Sequence, residues 1–227
     1  MGIYQSNDQT DSGALNIIKK KFAMNYQELA FSDAIKEIQE KKGSRNSYAR
    51  MEKMTYTDGL SEQEMAFIES QDSFYMASYG ENEFPYIQHR GGPQGFVKII
   101  DANTIGIVDF VGNRQYISAG NISKNPKVAL IMVSYPHRAR LKIYAEAQIL
   151  DVAGNSELYE TLKPEDYKFK PEQMMIFKIK AYDWNCPQHI TQRYTVAEIK
   201  EVFDLQKKHI SDLEQQIKDL EALLSKK

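Results

Sequence analysis

The residues best suited to chemistry are six cations that recur near the ends of predicted β-strands between positions 84 and 150. They are Arg90, Lys98, Arg114, Arg138, Arg140 and Lys142. A phosphate monoester needs several charged hydrogen-bond donors held on rigid elements, and a guanidinium group can donate two at once. Cations on the outer face of an antiparallel sheet are equally common as solubilising residues. The pattern therefore indicates a phosphate site, and each single cation is explained as well by the surface as by a ligand.

These cations need a scaffold, and short runs of β-branched and aromatic residues between turn-forming residues predict one. The predicted strands cover 74–79, 84–90, 95–100, 104–108, 128–134, 141–150 and 174–182. A loop over 112–126 leads into a short helix, and a second short helix is predicted over 155–162. Asp101 and Asp109 flank a predicted hairpin, and we interpret both as turn residues, not as an acid–base pair.

One strand has a clear division of faces. Alternation along 141–150 puts Leu141, Ile143 and Ala145 on one side, which we expect to be the core. The other face then carries Arg138, Arg140, Lys142 and Tyr144. This basic face would be available to a ligand or to a partner subunit.

The N-terminal region is predicted to be helical after a polar, mobile start at 1–13. Apolar residues recur at helical spacing through much of 14–30, and a second helix is expected over 34–42. A third begins at Ser61, where serine at the cap and Glu64 three residues later form a capping box.

The C-terminal segment has the 4-3 spacing of a coiled coil. Its seam consists of Ile199, Phe203, Gln206, Ile210, Leu213, Ile217, Leu220 and Leu224. β-Branched residues at one core position with leucine at the other favour two parallel helices. The alternative is an amphipathic helix packed on its own domain, which would have a wider apolar stripe. The predicted domains are thus a helical region at 1–60, a β-domain at 61–194 and the coiled-coil helix at 195–227.

Composition limits the class of protein. The 227 residues are 42% hydrophobic with a formal net charge of −2, which gives no general electrostatic reason to bind nucleic acid or an anionic membrane. A single cysteine excludes an internal disulfide, and the four histidines lack metal-ligand spacing. No glycine-rich nucleotide motif opens a helix. We expect a soluble cytoplasmic protein without a metal site.

Four motifs resemble the pyridoxamine 5′-phosphate oxidase-like superfamily of FMN-binding split β-barrels. They are the stretches 89–101, 109–121, 125–130 and 186–193, within a resemblance that covers about 31–194. The resemblance implies a mainly β fold with flanking helices (α+β), and FMN bound between the two subunits of a homodimer.

The resemblance also implies the roles of nine residues. Arg90 and Lys98 would lie near the FMN phosphate, with Asn113, Arg114 and Ser118 completing that end. Arg140 takes the place where the oxidase has a glutamine near the flavin ring. Gln188, His189 and Arg193 would reach the ring from the end of the barrel.

Departures from the oxidase leave the activity open. A Ser-Arg-Lys signature is replaced by Asn113-Arg114-Gln115, so oxidation of vitamin B6 is not implied. The leading hypothesis is an FMN-dependent oxidoreductase acting on an unidentified small molecule. The alternatives are a flavin- or haem-binding protein without turnover, and an interaction module whose coiled coil is the working part.

Overall fold

The structure is a computed structural model that describes residues 25–54, 58–185 and 187–225. The chain divides into two compact units, Met1–Val133 with Ala139–Cys186, and Ser134–Arg138 with Pro187–Lys227. Its described helices are α1 Tyr26–Ala30, α2 Asp33–Lys41, α3 Arg45–Met54, α4 Glu62–Glu69, α5 Ile117–Lys124, α6 Ser156–Leu162 and α7 Val196–Leu224. The strands are β1 Ser73–Tyr79, β2 Pro85–Gly91, β3 Lys98–Asp101, β4 Thr104–Phe110, β5 Lys127–Ser134, β6 Ala139–Leu150 and β7 Pro171–Asn185.

The strands form one antiparallel sheet of seven, in the order β2-β1-β5-β6-β7-β4-β3. The sheet is curled, as two ring contacts across it show. The Phe74 ring of β1 lies 5.9 Å from the Phe96 ring, which precedes β3, and 6.1 Å from the Phe177 ring of β7. The described strands do not close it, since β2 and β3 are its two edges. The prediction of a mainly β split barrel with flanking helices is confirmed.

The core lies on the inner face of this sheet. Burial alternates along β1, where Phe74 and Met76 are buried, and along β6, where Leu141, Ile143 and Ala145 are buried. The predicted division of faces in β6 is therefore confirmed for Arg140, Lys142 and Tyr144, which stay partly exposed. Arg138 does not belong to that face, because it lies in the turn before β6 with a φ of 53°.

The N-terminal helices agree only in part with the predictions. The first predicted helix, over 14–30, lies mostly outside the described residues, and its last five residues form α1. The second corresponds to α2 with a shift of one residue. Helix α3 was not predicted, because it is polar and has no apolar periodicity. Within it, the Arg45 guanidinium donates two hydrogen bonds to the Glu52 carboxylate, at 2.8 and 2.6 Å, which stabilise the helix. Among the described residues, no helix combines the length and apolarity needed to cross a membrane.

The predicted capping box at the start of α4 is confirmed, and it also ties this helix to β7. Glu64 is 6% exposed and accepts hydrogen bonds from the Ser61 amide at 3.0 Å and the Trp184 Nε1 at 2.6 Å. The Tyr182 hydroxyl donates to it at 3.3 Å. Burial opposes ionisation, but the hydrogen bonds outweigh it, so the pKa of Glu64 lies below its ordinary value of 4.5.

Replacing Glu64 with glutamine should lower the free energy of unfolding by about 1–3 kcal/mol at pH 7, since the amide nitrogen would face buried donors. The native carboxyl has the lower pKa, so the unfolded chain binds more protons in acid. Its contribution to stability is complete above pH 4.5 and is lost as pH falls through the native pKa. Urea unfolding should show the two proteins converging on acidification. The exposed Glu62→Gln change is the control, and an unchanged gap at low pH would contradict the assignment.

Candidate anion-binding cleft

A cleft of about 190 Å³ lies between β2, the end of β4, the start of β7 and the loop before α5. We call it the β2–β4 cleft. Its polar lining consists of Tyr86, Gln88, Arg90, Asp109, Asn113, Arg114, Gln115, Tyr116, Ser118, Glu172 and Gln173. All of these residues belong to the first compact unit.

Strand β2 supplies one wall through its alternation. Its residues are alternately exposed and half-buried, and the half-buried Tyr86, Gln88 and Arg90 are the ones that line the cleft. Ile87 and His89 lie on the opposite, exposed face. A single strand therefore aims a guanidinium and an amide at the same space.

An ion pair joins β2 to the end of β4. Arg90 Nη1 donates to Asp109 Oδ1, and 13% and 10% of the two side chains are exposed. The Gln173 amide donates to the second Asp109 oxygen at 3.0 Å, and Arg90 Nη2 donates to Gln88 at 3.0 Å. Arg90 Nε is buried and has no hydrogen-bond partner in the described part of the chain. One buried guanidinium donor in the wall of the cleft is thus unsatisfied.

The turn interpretation holds for only one of the two aspartates. Asp101 accepts a hydrogen bond from the Asn103 amide at 2.7 Å, as a turn residue does. Asp109 lies within β4, is 7% exposed and pairs with Arg90, so its interpretation as a turn residue was wrong. Its partner is 19 positions away, which no local pattern could indicate.

The loop before α5 has an unusual backbone. Arg114 and Tyr116 both have positive φ, 58° and 54°. Tyr116 precedes the helix and makes no side-chain cap, while the Gly120 amide donates to its carbonyl at 2.8 Å. The first backbone N–H groups of a helix have no intrahelical acceptor. Ile117, Ser118 and Ala119 line the cleft, so the uncapped positive end of α5 opens into it.

Glu172 is the second carboxylate of the cleft. The Tyr116 hydroxyl donates to it at 2.9 Å, and this hydrogen bond raises the pKa of Tyr116. Arg114 Nε lies 4.0 Å from the other oxygen, and 58% of the arginine side chain is exposed. This is a loose ion pair in water, so an arriving anion can compete for Arg114.

A short contact joins β2 to α5. The Ser118 hydroxyl, in a residue that is 1% exposed, donates to Gln88 Oε1 at 2.6 Å. Gln88 thereby receives donors from both Arg90 and Ser118. No local pattern indicated that Gln88 or Gln173 would belong to the site, because Ser118 and Asp109, which they contact, lie 30 and 64 positions away.

Four of the nine predicted site residues, Arg90, Asn113, Arg114 and Ser118, line the β2–β4 cleft. Two others, in the same unit, do not line it. Lys98 lies on β3 opposite Gly106, and Arg140 lies on β6 opposite Asn185.

The other three predicted residues, Gln188, His189 and Arg193, belong to the second compact unit. There the Arg193 guanidinium lies 5.0 Å from the centre of the Tyr135 ring, and Gln192 donates to the Pro136 carbonyl at 2.9 Å. His189 has a φ of 63°. All nine assignments remain predictions about a bound cofactor.

A larger, more open depression of about 820 Å³ lies beside α1 and strands β1, β5 and β6. Its cations are Lys127 and Lys180, and Lys180 is already 2.7 Å from Glu146. None of the described residues that line it is an arginine, so the β2–β4 cleft is the better candidate for a phosphate.

Comparison with protein families gives one match, to the family described as pyridoxamine 5′-phosphate oxidase, over residues 60–183. No curated protein matches significantly. Similar solved structures include HupZ of Group A Streptococcus, with 14% identity over 60% of this chain and 100% of that one and a TM-score of 0.45.

Two further structures are similar at the same level. A putative pyridoxamine 5′-phosphate oxidase of Lactobacillus delbrueckii has 16% identity, covers 56% of this chain and 95% of that one, and has a TM-score of 0.43. An FMN-binding protein of Syntrophomonas wolfei has 13% identity, covers 65% and 97%, and has a TM-score of 0.41. The match to the family is the finding that assigns the chain.

Proposed function

The chain belongs to the pyridoxamine 5′-phosphate oxidase family, and from this premise we propose that it binds FMN with the phosphate in the β2–β4 cleft. The observation that carries the proposal is the convergence of three kinds of anion donor on one small space. They are the uncapped start of α5, the exposed Arg114 guanidinium and the largely buried Arg90 guanidinium, all of which line the cleft.

The charges of the cleft define how a phosphate would be held. Two arginines are balanced by Asp109 and Glu172, so the cleft has no formal excess of charge. Asp109 is held by Arg90 and Gln173, whereas Glu172 contacts Arg114 only at 4.0 Å. In the proposed complex Arg114 turns from Glu172 to the phosphate. The first backbone N–H groups of α5 add further donors, and no side chain caps them.

The size of the cleft supports sharing of the cofactor between subunits. Its volume of about 190 Å³ is below the roughly 300–1,000 Å³ usual for a whole ligand site. The cleft of one chain thus suits the phosphate end, and the flavin ring requires further surface. We include in the proposal a homodimer with the flavin at its interface, where Lys98, Arg140, Gln188, His189 and Arg193 remain candidates for contacts.

The proposed activity is that of a flavin-dependent oxidoreductase with a small-molecule substrate. Bound FMN would supply hydride or electron transfer at its ring, which no side chain can supply. The chain's own residues would bind and orient the cofactor. Arg114 and the start of α5 would bind the phosphate, and Arg90 would form part of the cleft wall beside it. In this proposal the protein acts in the cytoplasm, without nucleic acid or membrane as a partner.

Titration of the apoprotein with FMN and with riboflavin tests the site. FMN should bind at least about tenfold more tightly, because one charged hydrogen bond to the phosphate is worth about 1.5–3 kcal/mol. Equal affinity for the two flavins would show that no phosphate site exists. Oxidation of reduced nicotinamide by the FMN-loaded protein then separates an oxidoreductase from a flavin-binding protein without turnover.

A further inference from the structure

Helix α7 exposes an apolar seam along its whole length. It spans 29 residues and is started by a capping box of Thr195 and Glu198. Phe203, Ile210, Leu213, Ile217, Leu220 and Leu224 are between 44% and 72% exposed. A long row of exposed large apolar side chains marks an interaction surface, since an isolated helix gains little stability without packing.

The residues that flank this seam differ in character on its two sides. The charged flank is formed by Lys200, Lys207, Glu214 and Glu221, each one position after a seam residue. The neutral flank is formed by Val202, His209, Gln216 and Leu223, each one position before a seam residue. In the described part of the chain, none of the four charged side chains makes an ion pair.

The charged flank has its two signs in separate halves. Both lysines lie in the N-terminal half of the helix, and both glutamates lie in the C-terminal half. Flanking charges of a coiled coil set the choice and the orientation of its partner. This division of signs can therefore distinguish the two orientations of a pair of identical helices.

Symmetry fixes which flanks meet. In a parallel pair the two-fold axis runs along the coil, so the charged flank of one helix meets the neutral flank of the other, and no lysine faces a glutamate. In an antiparallel pair the axis is perpendicular to the coil, so the charged flank meets its own copy in reverse order. Lysines of one helix then face glutamates of the other.

We propose that α7 binds the α7 of a second copy of this chain in an antiparallel coiled coil. Reversal over the full seam aligns Phe203 with the partner's Leu220 and Ile210 with the partner's Leu213. Lys200 then faces the partner's Glu221 and Lys207 faces the partner's Glu214, which makes four ion pairs by symmetry. This orientation replaces the parallel one expected from the core residues alone.

The neutral flank adds to the same arrangement. Antiparallel reversal places Val202 beside the partner's Leu223, and these side chains are 56% and 63% exposed in the single chain. Their contact widens the apolar seam at both ends of the pair. In the parallel arrangement Val202 would instead face the partner's Lys207.

Two features favour the parallel pair, namely the distribution of β-branched residues and leucine over the core positions, and Gln206. There the two Gln206 amides would face each other and could exchange hydrogen bonds, whereas antiparallel pairing puts Gln206 against the partner's Ile217. One amide pair and the preference of the core residues are thus weighed against four ion pairs and two apolar contacts. The larger number of favourable contacts decides for the antiparallel orientation.

Disulfide cross-linking of the full chain tests the orientation. In a Cys186→Ser background, one sample carries Phe203→Cys and another carries Leu220→Cys. The two positions are 17 residues apart in sequence, or about 25 Å along a helix, which no disulfide spans. Under mild oxidation, a mixture of the two proteins should give the mixed disulfide dimer, while each protein alone should stay uncross-linked. Lys218→Cys, away from the seam, is the control.

Other outcomes overturn the proposal. Dimers of each single-cysteine protein alone, with no mixed product, would show a parallel pair. No cross-link in any sample would show that α7 does not pair with its own copy. Cross-linking of Lys218→Cys to the same extent would show random collision.

A charge exchange tests the ion pairs separately from the cysteines. Added to both cysteine proteins, Lys200→Glu should reduce the yield of the mixed dimer, because two glutamates would then face each other at each end. Combining Lys200→Glu with Glu221→Lys should restore the yield. An unchanged yield in the single variant, or no recovery in the double variant, would remove the charged flank from the interface.

Discussion

Replacement of Arg90 by alanine should lower the free energy of unfolding by about 3 kcal/mol. The change would leave the Asp109 carboxylate, in a residue 7% exposed, without its cation, and breaking a buried ion pair costs roughly 3–5 kcal/mol. The low end applies because 13% and 10% of the two side chains still meet solvent. Urea unfolding of the apoprotein measures the loss directly.

Two controls separate the ion pair from other effects. Arg50→Ala removes an exposed arginine on α3 and should change stability by less than about 0.5 kcal/mol. Replacing Arg90 and Asp109 together with methionine and leucine should recover much of the stability, since no buried charge then remains unpaired. If Arg90→Ala lowers the free energy of unfolding by less than about 1 kcal/mol, Asp109 does not depend on Arg90 for its charge to be compensated.

Arg114→Ala should weaken FMN binding by about 1.5–3 kcal/mol, or roughly 10- to 150-fold, and should leave stability nearly unchanged. The arginine side chain is 58% exposed and its one ion pair spans 4.0 Å, so the fold depends little on it. Riboflavin lacks the phosphate, and its affinity should not fall. Calorimetric titration with both flavins makes the comparison.

Arg114→Lys refines the same experiment, because lysine keeps the charge but loses the paired donors of the guanidinium. It should bind FMN with an affinity between those of the native protein and the alanine variant. Arg50→Ala serves again as the control. Equal loss of FMN and riboflavin binding in Arg114→Ala would place this residue at the ring end or in the fold, and would remove it from the phosphate site.

The strands and one helix start could be predicted because their signals are local. Alternation in β6 identified Leu141, Ile143 and Ala145 as core residues, and the spacing of Ser61 and Glu64 identified the start of α4. Both patterns depend on residues within a few positions of each other. The roles of Trp184 and Tyr182 as donors to Glu64 could not be predicted, because these residues lie about 120 positions away.

The candidate site was predicted only in part, because only some of its residues have local signals in the sequence. The cations Arg90 and Arg114 and the loop before α5 stood out from composition and resemblance, whereas Gln88, Gln173 and Glu172 entered the cleft through the packing of distant strands. Asp109 shows the limit most clearly. It lies between the strand-forming Val108 and Phe110, and its pairing with Arg90 follows from the curling of the sheet that brings β2 to β4.

Strands β2 and β4 form two walls of the cleft without being neighbours in the sheet. Among the described strands, β2 has main-chain hydrogen bonds only with β1, and β3 only with β4. Side-chain contacts join β2 to the opposite wall, from Arg90 to Asp109 and from Gln88 to Ser118. Exposed side chains change rotamer within nanoseconds, and among the residues that line the cleft Arg114 has such a side chain, since 58% of it is exposed. An anion bound to Arg114 and to the β2 wall would therefore connect the two sides of the cleft without any change in the pairing of the strands.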